Sequence, residues 1–446
     1  MTKEHPTVQC QTQPRLRGEL GSNRVIHSNE LRFGQPCSKG SVSEFVGSGL
    51  VKFEVATPVD DFEIRRLLRE SPMPGNVSIS LEREPDYFTE ARAFDLKSAK
   101  VAEDRPGSAN VSSQGGAVGT QWHTIVARDT GRVVCVGSCT IRPRFVNGQP
   151  LRVGYLGGLR LDAAYAGRFD VLRRGYQLFA DLQAEAPADF YFTSIAEDNA
   201  RARRFLERGV VGMPRYEFVG GFVTLIIAAG RASGGAAVES AGPLGTLQPD
   251  GAETPAVAEQ VLSFLNHRNS ELQFAPAWSP EDLTALGHLG FRISDAYVLR
   301  NGGRIVATGA LWDQRGFKQT VIRGYRPWLA FSRFALDGFA RLANHPRLPP
   351  VGGVLASAFV SHLATAPEQQ TALVEVLCRL RASASERQIQ LLALGFATSD
   401  PRLATIRAKF RCREYYSRIY VVNWPGLGRS AAELDGRLLA PEVSLL

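Results

Sequence analysis

Apolar and polar positions change period several times along the chain, and each change marks an element. Ile64, Leu67 and Leu68 fall on one helical face behind Asp60-Asp61-Phe62-Glu63, a capping box with Asp60 as N-cap and Glu63 three residues on. The pattern predicts a helix ending near Glu70. Between 122 and 161 the period becomes two: 122–128, 132–142 and 151–161 read as strands. Asp129-Thr130-Gly131 and Asn147-Gly148 supply the turns that make them consecutive antiparallel neighbours. After Gly167 the helical period returns through Val171, Leu172, Leu178, Phe179 and Leu182, and Pro187 limits that helix. A short buried strand is expected at 190–195, a helix at 199–208 closed by Gly209, and a strand at 216–227.

Residues 230–253 are rich in Gly, Ala, Ser and Pro with no aromatic side chain, a composition that reads as an interdomain linker. Beyond it the rhythm repeats: helices near 257–265, 328–342, 368–382 and 401–409, and strands at 296–300, 304–312, 353–361, 388–393 and 416–422. An internal duplication of one α+β unit is the simplest account. The expected organisation is a solvated tail at 1–50, an N-terminal domain at 51–229, a linker at 230–256, a C-terminal domain at 257–425 and a tail at 426–446. The fold class is α+β, each domain a mixed, mostly antiparallel central sheet flanked by helices.

Length agrees, since 446 residues exceed one ordinary domain of roughly 100–200. The apolar share of 44% and charged share of 22% exclude a fibrous or wholly disordered chain. The net charge of +8 is dispersed, with no run of five or six like charges and no basic stripe interleaved with aromatics. A small polyanionic ligand fits that balance better than nucleic acid does. Six scattered cysteines with no CxxC, and histidines with no HExxH, argue against a disulfide framework or a metal site, so no metal is expected. The start lacks the apolar core of a signal peptide, and the longest apolar stretch, 218–229, is short of the roughly 20 residues of a membrane span. A cytoplasmic protein is expected.

Chemistry is densest in 153–175, where a strand runs into a tight turn at Gly167 and a helix begins behind it. Amides at a helix start lack intrahelical partners and carry the positive end of the macrodipole, so a pyrophosphate can settle there. Gly157-Gly158 inside the strand permits a bulge, which exposes backbone donors to a thioester carbonyl. This stretch resembles the acetyl-CoA motif of the GNAT superfamily of N-acetyltransferases, a strand ending L-x-V/L, a Tyr-Arg-Gly-type loop and a helix. Leu159-Arg160-Leu161 and Tyr165-Ala166-Gly167-Arg168 take those positions, and Thr193 to Gly209, with Asn199 opening the helix, matches the superfamily's second motif. The resemblance covers about 51 to 229, and the second half more faintly. The family loop Gln/Arg-x-x-Gly-x-Gly/Ala is altered: Ala166, Phe169 and Val171 stand at its first, fourth and sixth places, with Gly167 as its glycine.

The resemblance implies direct transfer of an acetyl group from acetyl-CoA to a primary amine, on a small molecule or a peptide, with Leu159, Arg160, Leu161, Ala166, Gly167, Arg168, Phe169, Asp170, Val171 and Asn199 around the cofactor. Arg173 and Arg174 add charge against the phosphates, whereas Asp170 sets a carboxylate near them. Where many relatives carry a tyrosine that protonates the thiolate, this chain has Leu206, which leaves Tyr155, Tyr216 or water for the task. Glu82 and Glu84, in the carboxylate-rich 80–88, are the favoured base or amine-binding groups, the alternative being a solvated charged loop. The second half has Pro367 at the corresponding turn, which removes one amide donor, and reads as a degenerate copy. The rival to an enzyme is a GNAT-like protein that binds acetyl-CoA or a partner without turnover. A homo-oligomer is compatible with either.

Overall fold

Thr130 and Asn147 take left-handed conformations ahead of Gly131 and Gly148, the pair of positive φ angles that lets a two-residue turn follow the twist of its strands. Those turns join β3 (Gln121–Asp129), β4 (Arg132–Val146) and β5 (Gln149–Leu161) into an antiparallel meander. The computed structural model describes residues 51–95, 119–230, 255–330, 349–367 and 369–446. The expected tail at 1–50, positions 231–254 of the linker expected at 230–256 and positions 331–342 of the helix expected at 328–342 lie outside the described residues.

Helix α1 (Asp61–Glu70) buries Ile64, Leu67 and Leu68 against Val126, Val133 and Val136 of the sheet. Its start differs from the expected box. Thr57 caps a preceding 3-10 turn, Pro58–Asp60, and the Asp60 carboxylate reaches back to the Thr57 amide at 2.7 Å. Asp60 also pairs with Arg128, and Glu63 turns to Arg66 at 3.0 Å. Pro58 moved the box one turn upstream, because its ring sets the helical φ and needs no donor.

Helix α2 (Phe169–Gln183), β6 (Phe190–Ala196), α3 (Ala200–Leu206) and β7 (Arg215–Ala228) follow as expected in order. The second half brings α4 (Pro255–Asn269), α5 (Pro280–Gly287), β8 (Ala296–Asn301), β9 (Arg304–Trp312), β11 (Ser357–Thr365), α6 (Gln370–Glu386), β12 (Leu391–Ala397), α7 (Arg402–Lys409) and β13 (Cys412–Asn423). Strand β11 starts later than its apolar pattern predicts, because Gly353 closes a turn onto the Pro350 carbonyl at 2.8 Å. Strands β2 (Val77–Glu82) and β10 (Gln319–Tyr325) pair with each other, Glu82 opposite Gln319. Sequence periodicity missed both β2 and β10, whose partners lie far apart in the chain.

With β1 (Lys52–Val55) at one edge, eleven strands form one sheet in the order β1-β3-β4-β5-β6-β13-β7-β12-β11-β9-β8. The last strand of each half therefore serves the other. Strand β7 runs antiparallel along β12, from Ala228 opposite Leu391 to Phe222 opposite Ala397. Strand β13 lies between β6 and β7, with Val421 opposite both Phe192 and Glu217. Phe190 and Phe192 of β6, Phe222 of β7, Ala397 of β12 and Ile419 and Val421 of β13 share one apolar cluster, so the halves have a common core. Leu439 joins that cluster and Leu445 the neighbouring one. The segment 426–446, expected as a tail, is thus packed.

Candidate active site

The halves repeat one irregularity. In the first, β5 pairs with β6 in parallel only at Val153–Phe190, Gly154–Tyr191 and Tyr155–Phe192. Beyond them the strands part, and the Thr193 hydroxyl donates to the Leu156 carbonyl at 2.7 Å where the ladder ends. On its other side β5 slips register against β4: Gly157 stays opposite Ser138 and Arg160 opposite Val136, so two residues of β5 face one of β4. Gly158 adopts φ +65° there, a conformation that costs glycine nothing. The bulge expected at Gly157-Gly158 is present, beside an opening between β5 and β6.

In the second half β11 and β12 pair at Ser357–Leu391, Ala358–Leu392 and Phe359–Ala393, then part, and β11 slips against β9 between Ser361 and Ala364. His362 holds the left-handed position, φ +54°. This opening is occupied. The Glu442 carboxylate accepts from the His362 amide at 3.1 Å and from the Ser361 hydroxyl, and the His362 ring is stacked between Trp278 and Phe291, with centroids at 4.1 and 4.5 Å. The bulge donor that a thioester carbonyl would use is already bonded to a carboxylate.

The loop after β5 differs from the expected cradle. Asp162 caps the turn through the Ala164 amide at 3.0 Å, and the amides of Tyr165, Ala166, Arg168, Phe169 and Val171 donate to carbonyls of the loop itself. The Asp170 carboxylate accepts from its own amide and from Val171, and it pairs with Arg168 at 2.8 Å. The Arg168 bond, outweighing the upward push of burial, holds Asp170 below the usual carboxylate range. Gly167 holds φ +99° with open space around it, which keeps the turn accessible. An anion entering here displaces Asp170. Phe169 is exposed and stacks on Phe205 at 4.5 Å, Val171 is buried, and Leu161 packs beside it. Leu159 is exposed beyond the bulge, and Arg160 donates to its carbonyl at 2.8 Å. Asn199 caps α3 through the Ala202 amide at 3.2 Å, and Leu206 is buried in the core.

Of the three residues expected to do chemistry, Tyr155 lies at the opening. Its ring rests along β5 over Gly157, where a Cβ would stand 2.7 Å from Cε1, so only glycine leaves room for it. Its hydroxyl has no hydrogen-bond partner among the described residues, and burial, against the pull of Arg144, Arg160 and Arg83, pushes its pKa up to about 12. Glu82 is buried in a pair with Arg323 and the Ser80 hydroxyl, and Glu84 bridges Arg65 and Arg69. Both carboxylates are thereby committed to ion pairs. Arg83, whose charge reaches Tyr155, pairs at 2.7 Å with Glu90, a buried carboxylate that sequence reading missed. Burial works to raise Glu90, but Arg83 and Lys318 outweigh it and keep the group ionised. No single-chain signal marks Glu90, since its role depends on Arg142 and Lys318 arriving from other elements. Tyr216, the other tyrosine considered, is buried with its hydroxyl on that of Tyr176 at 2.5 Å.

Among the described residues no group of three or more His, Cys, Asp and Glu side chains is placed to hold a metal, and no helix is long and apolar enough to cross a membrane. The chain matches no protein-family model and no curated protein in sequence. Several solved structures are similar to it. A GCN5-related N-acetyltransferase from Sphaerobacter thermophilus is 12% identical, with a TM-score of 0.43 over 85% of this chain and 98% of that one. The N-myristoyltransferase of Saccharomyces cerevisiae with bound myristoyl-CoA is 11% identical, with a TM-score of 0.49 over 91% and 92%. The fold resembles the GNAT fold.

Proposed function

We propose that this protein transfers an acyl group from coenzyme A to a primary amine, using the opening between β5 and β6 of its first half. The observation that carries the reading is the asymmetry of the two openings. Both halves keep the bulge and the parted strands, yet Glu442 and His362 fill the second, while among the described residues the first presents unpaired β5 backbone and a Tyr155 hydroxyl without a partner.

In the reaction the uncharged amine attacks the thioester carbonyl carbon, the C–N bond forms and the C–S bond breaks. The amine's proton leaves to water and the thiolate takes one. A bulge amide at Gly158 or Leu159 is the donor for the developing oxyanion, in a site where a fixed dipole costs no reorganisation. Tyr155, protonated at neutral pH, is assigned as proton donor to the thiolate. Arg168, Arg173 and Arg174 supply cations for the phosphates once Asp170 releases Arg168. Acetyl is the acyl group we assign: Tyr155, Phe192 and Phe274 stack behind the end of the opening, at centroid distances of 5.1 and 4.8 Å, and leave a closed wall for a long chain.

The reading is tested by titrating acetyl-CoA into the full chain in a calorimeter and following free thiol release with a panel of amines. Saturable binding with amine-dependent thiol release supports it, and no heat with either acetyl-CoA or coenzyme A overturns it. Glu82 and Glu84 in ion pairs and Asp170 over the helix start favour a second reading, a protein that binds coenzyme A without turnover. Binding without thiol release from any amine would select it.

A further inference from the structure

Arg142 and Arg144 on β4 stand opposite Val153 and Leu151 on β5, and Thr140 stands opposite Tyr155, so by strand alternation both arginines share the face of Tyr155. Arg142 is one paired position away, about 7 Å along the strand. It is 4% exposed, its guanidinium lies over the Phe94 ring at 4.8 Å within the fields of Asp282, Glu90 and Glu442, and among the described residues its Nε has no partner and no hydrogen bond or ion pair within 4 Å holds it. Arg144, 1% exposed, gives one N–H to the Phe274 carbonyl at 2.9 Å and leaves Nε unpaired. Arg83 and Lys318 bring two more cations to the same neighbourhood.

The nearby carboxylates are engaged elsewhere. Glu90 holds Arg83, Glu442 holds Ser361 and the His362 amide, and Asp282 closes the capping box of α5 through Ser279 at 2.9 Å. A buried guanidinium without a hydrogen-bonded counter-charge is among the costliest groups a fold can keep, and replacing such a group by an apolar one is ordinarily stabilising. A ligand's anion removes the cost. The spacing from Tyr155 fits a carboxylate a few bonds from a reacting nitrogen.

We infer that the acceptor is a small amine carrying a carboxylate, whose anionic group binds Arg142 while its nitrogen reaches the bulge beside Tyr155. This rests on the acyl-transfer reading and names its substrate class. The arginines then face the anionic end of the free acceptor, an attraction that simple alkylamines lack.

The test uses the full chain with matched probes, β-alanine against ethylamine and glycine against methylamine, in calorimetric binding and in thiol release from acetyl-CoA. Succinate, which has no nitrogen, probes the anion site alone. The acidic amines are expected to bind and react at least about tenfold better than their partners, which corresponds to one good polar contact. Arg142→Met is expected to weaken β-alanine and succinate binding roughly 30-fold or more, as loss of one partner of a buried charge pair does, and to raise the ligand-free Tm. Equal thiol release from β-alanine and ethylamine overturns the inference and leaves acyl transfer standing. Succinate binding that Arg142→Met abolishes, with no thiol released by any amine, keeps the anion site and overturns acyl transfer. An Arg142→Met chain that fails to fold, or melts lower, shows that the protein itself satisfies this charge and overturns the inference.

Discussion

Gly157→Ala is the most discriminating single change, because it adds one methyl group and touches one side chain. Gly157 does not hold a positive φ, so alanine fits the backbone. The new Cβ would stand 2.7 Å from Cε1 and 3.3 Å from Cζ of Tyr155, short of ordinary contact by about 0.7 Å at the closest atom. The ring is half-buried and one edge is free, so it swings away from the strand instead of straining the core. The stability cost is at the low end of overpacking, about 1 kcal/mol. The hydroxyl at the far end of the ring moves by about an ångström, and a misplacement of that size lowers turnover by roughly 10–100-fold. The assay is amine-dependent thiol release, with kcat and KM separated, on wild type, Gly157→Ala, Tyr155→Phe and the double variant. If Tyr155 donates the proton, Tyr155→Phe loses about 100-fold or more in kcat and Gly157→Ala adds little on top of it, because both act through one hydroxyl. Full activity in Tyr155→Phe, or strictly additive losses, refutes the assignment of Tyr155.

Three further outcomes follow from the same geometry. Asp170→Asn removes the carboxylate that covers the start of α2 and frees Arg168, so coenzyme A binds several-fold tighter by calorimetry, most clearly at low salt; unchanged affinity places the phosphates elsewhere. Burial brings the Lys318 ammonium down to about 8, below its value of about 10.4 in an unfolded chain. Between those values the unfolded chain binds the extra proton, so the penalty of burying Lys318 is full below pH 8 and fades as pH rises towards 10. Urea titrations should find Lys318→Met more stable than wild type at pH 7, with the gap closing towards pH 10. A chain cut after Gly230 loses β13 from between β6 and β7, leaving the long edges of both unpaired, and should be insoluble or unfolded by circular dichroism. A soluble, folded fragment would show that the shared sheet is dispensable.

Local order was legible in the chain. Apolar spacing located α1, the meander of β3 to β5, α2, β6, α3 and β7, though not α5 or β10, because each signal lies within a few residues: Thr130-Gly131 and Asn147-Gly148 for turns, Ile64, Leu67 and Leu68 for a helical face, Gly157-Gly158 for the bulge. Partnership over long range was hidden. Nothing in 412–423 says that this strand inserts beside β6 of the other half, and nothing in Glu82 says that Arg323 waits for it. The commitment of Glu82 to Arg323 and of Glu84 to Arg65 and Arg69 depends on arginines arriving from other elements, and the filling of the second opening was made by Glu442, far along the chain from His362. Periodicity specifies which face of an element is buried. Which two faces meet, and which charges are left unpaired when they do, depends on packing across the whole sheet, and only the tertiary structure decided it.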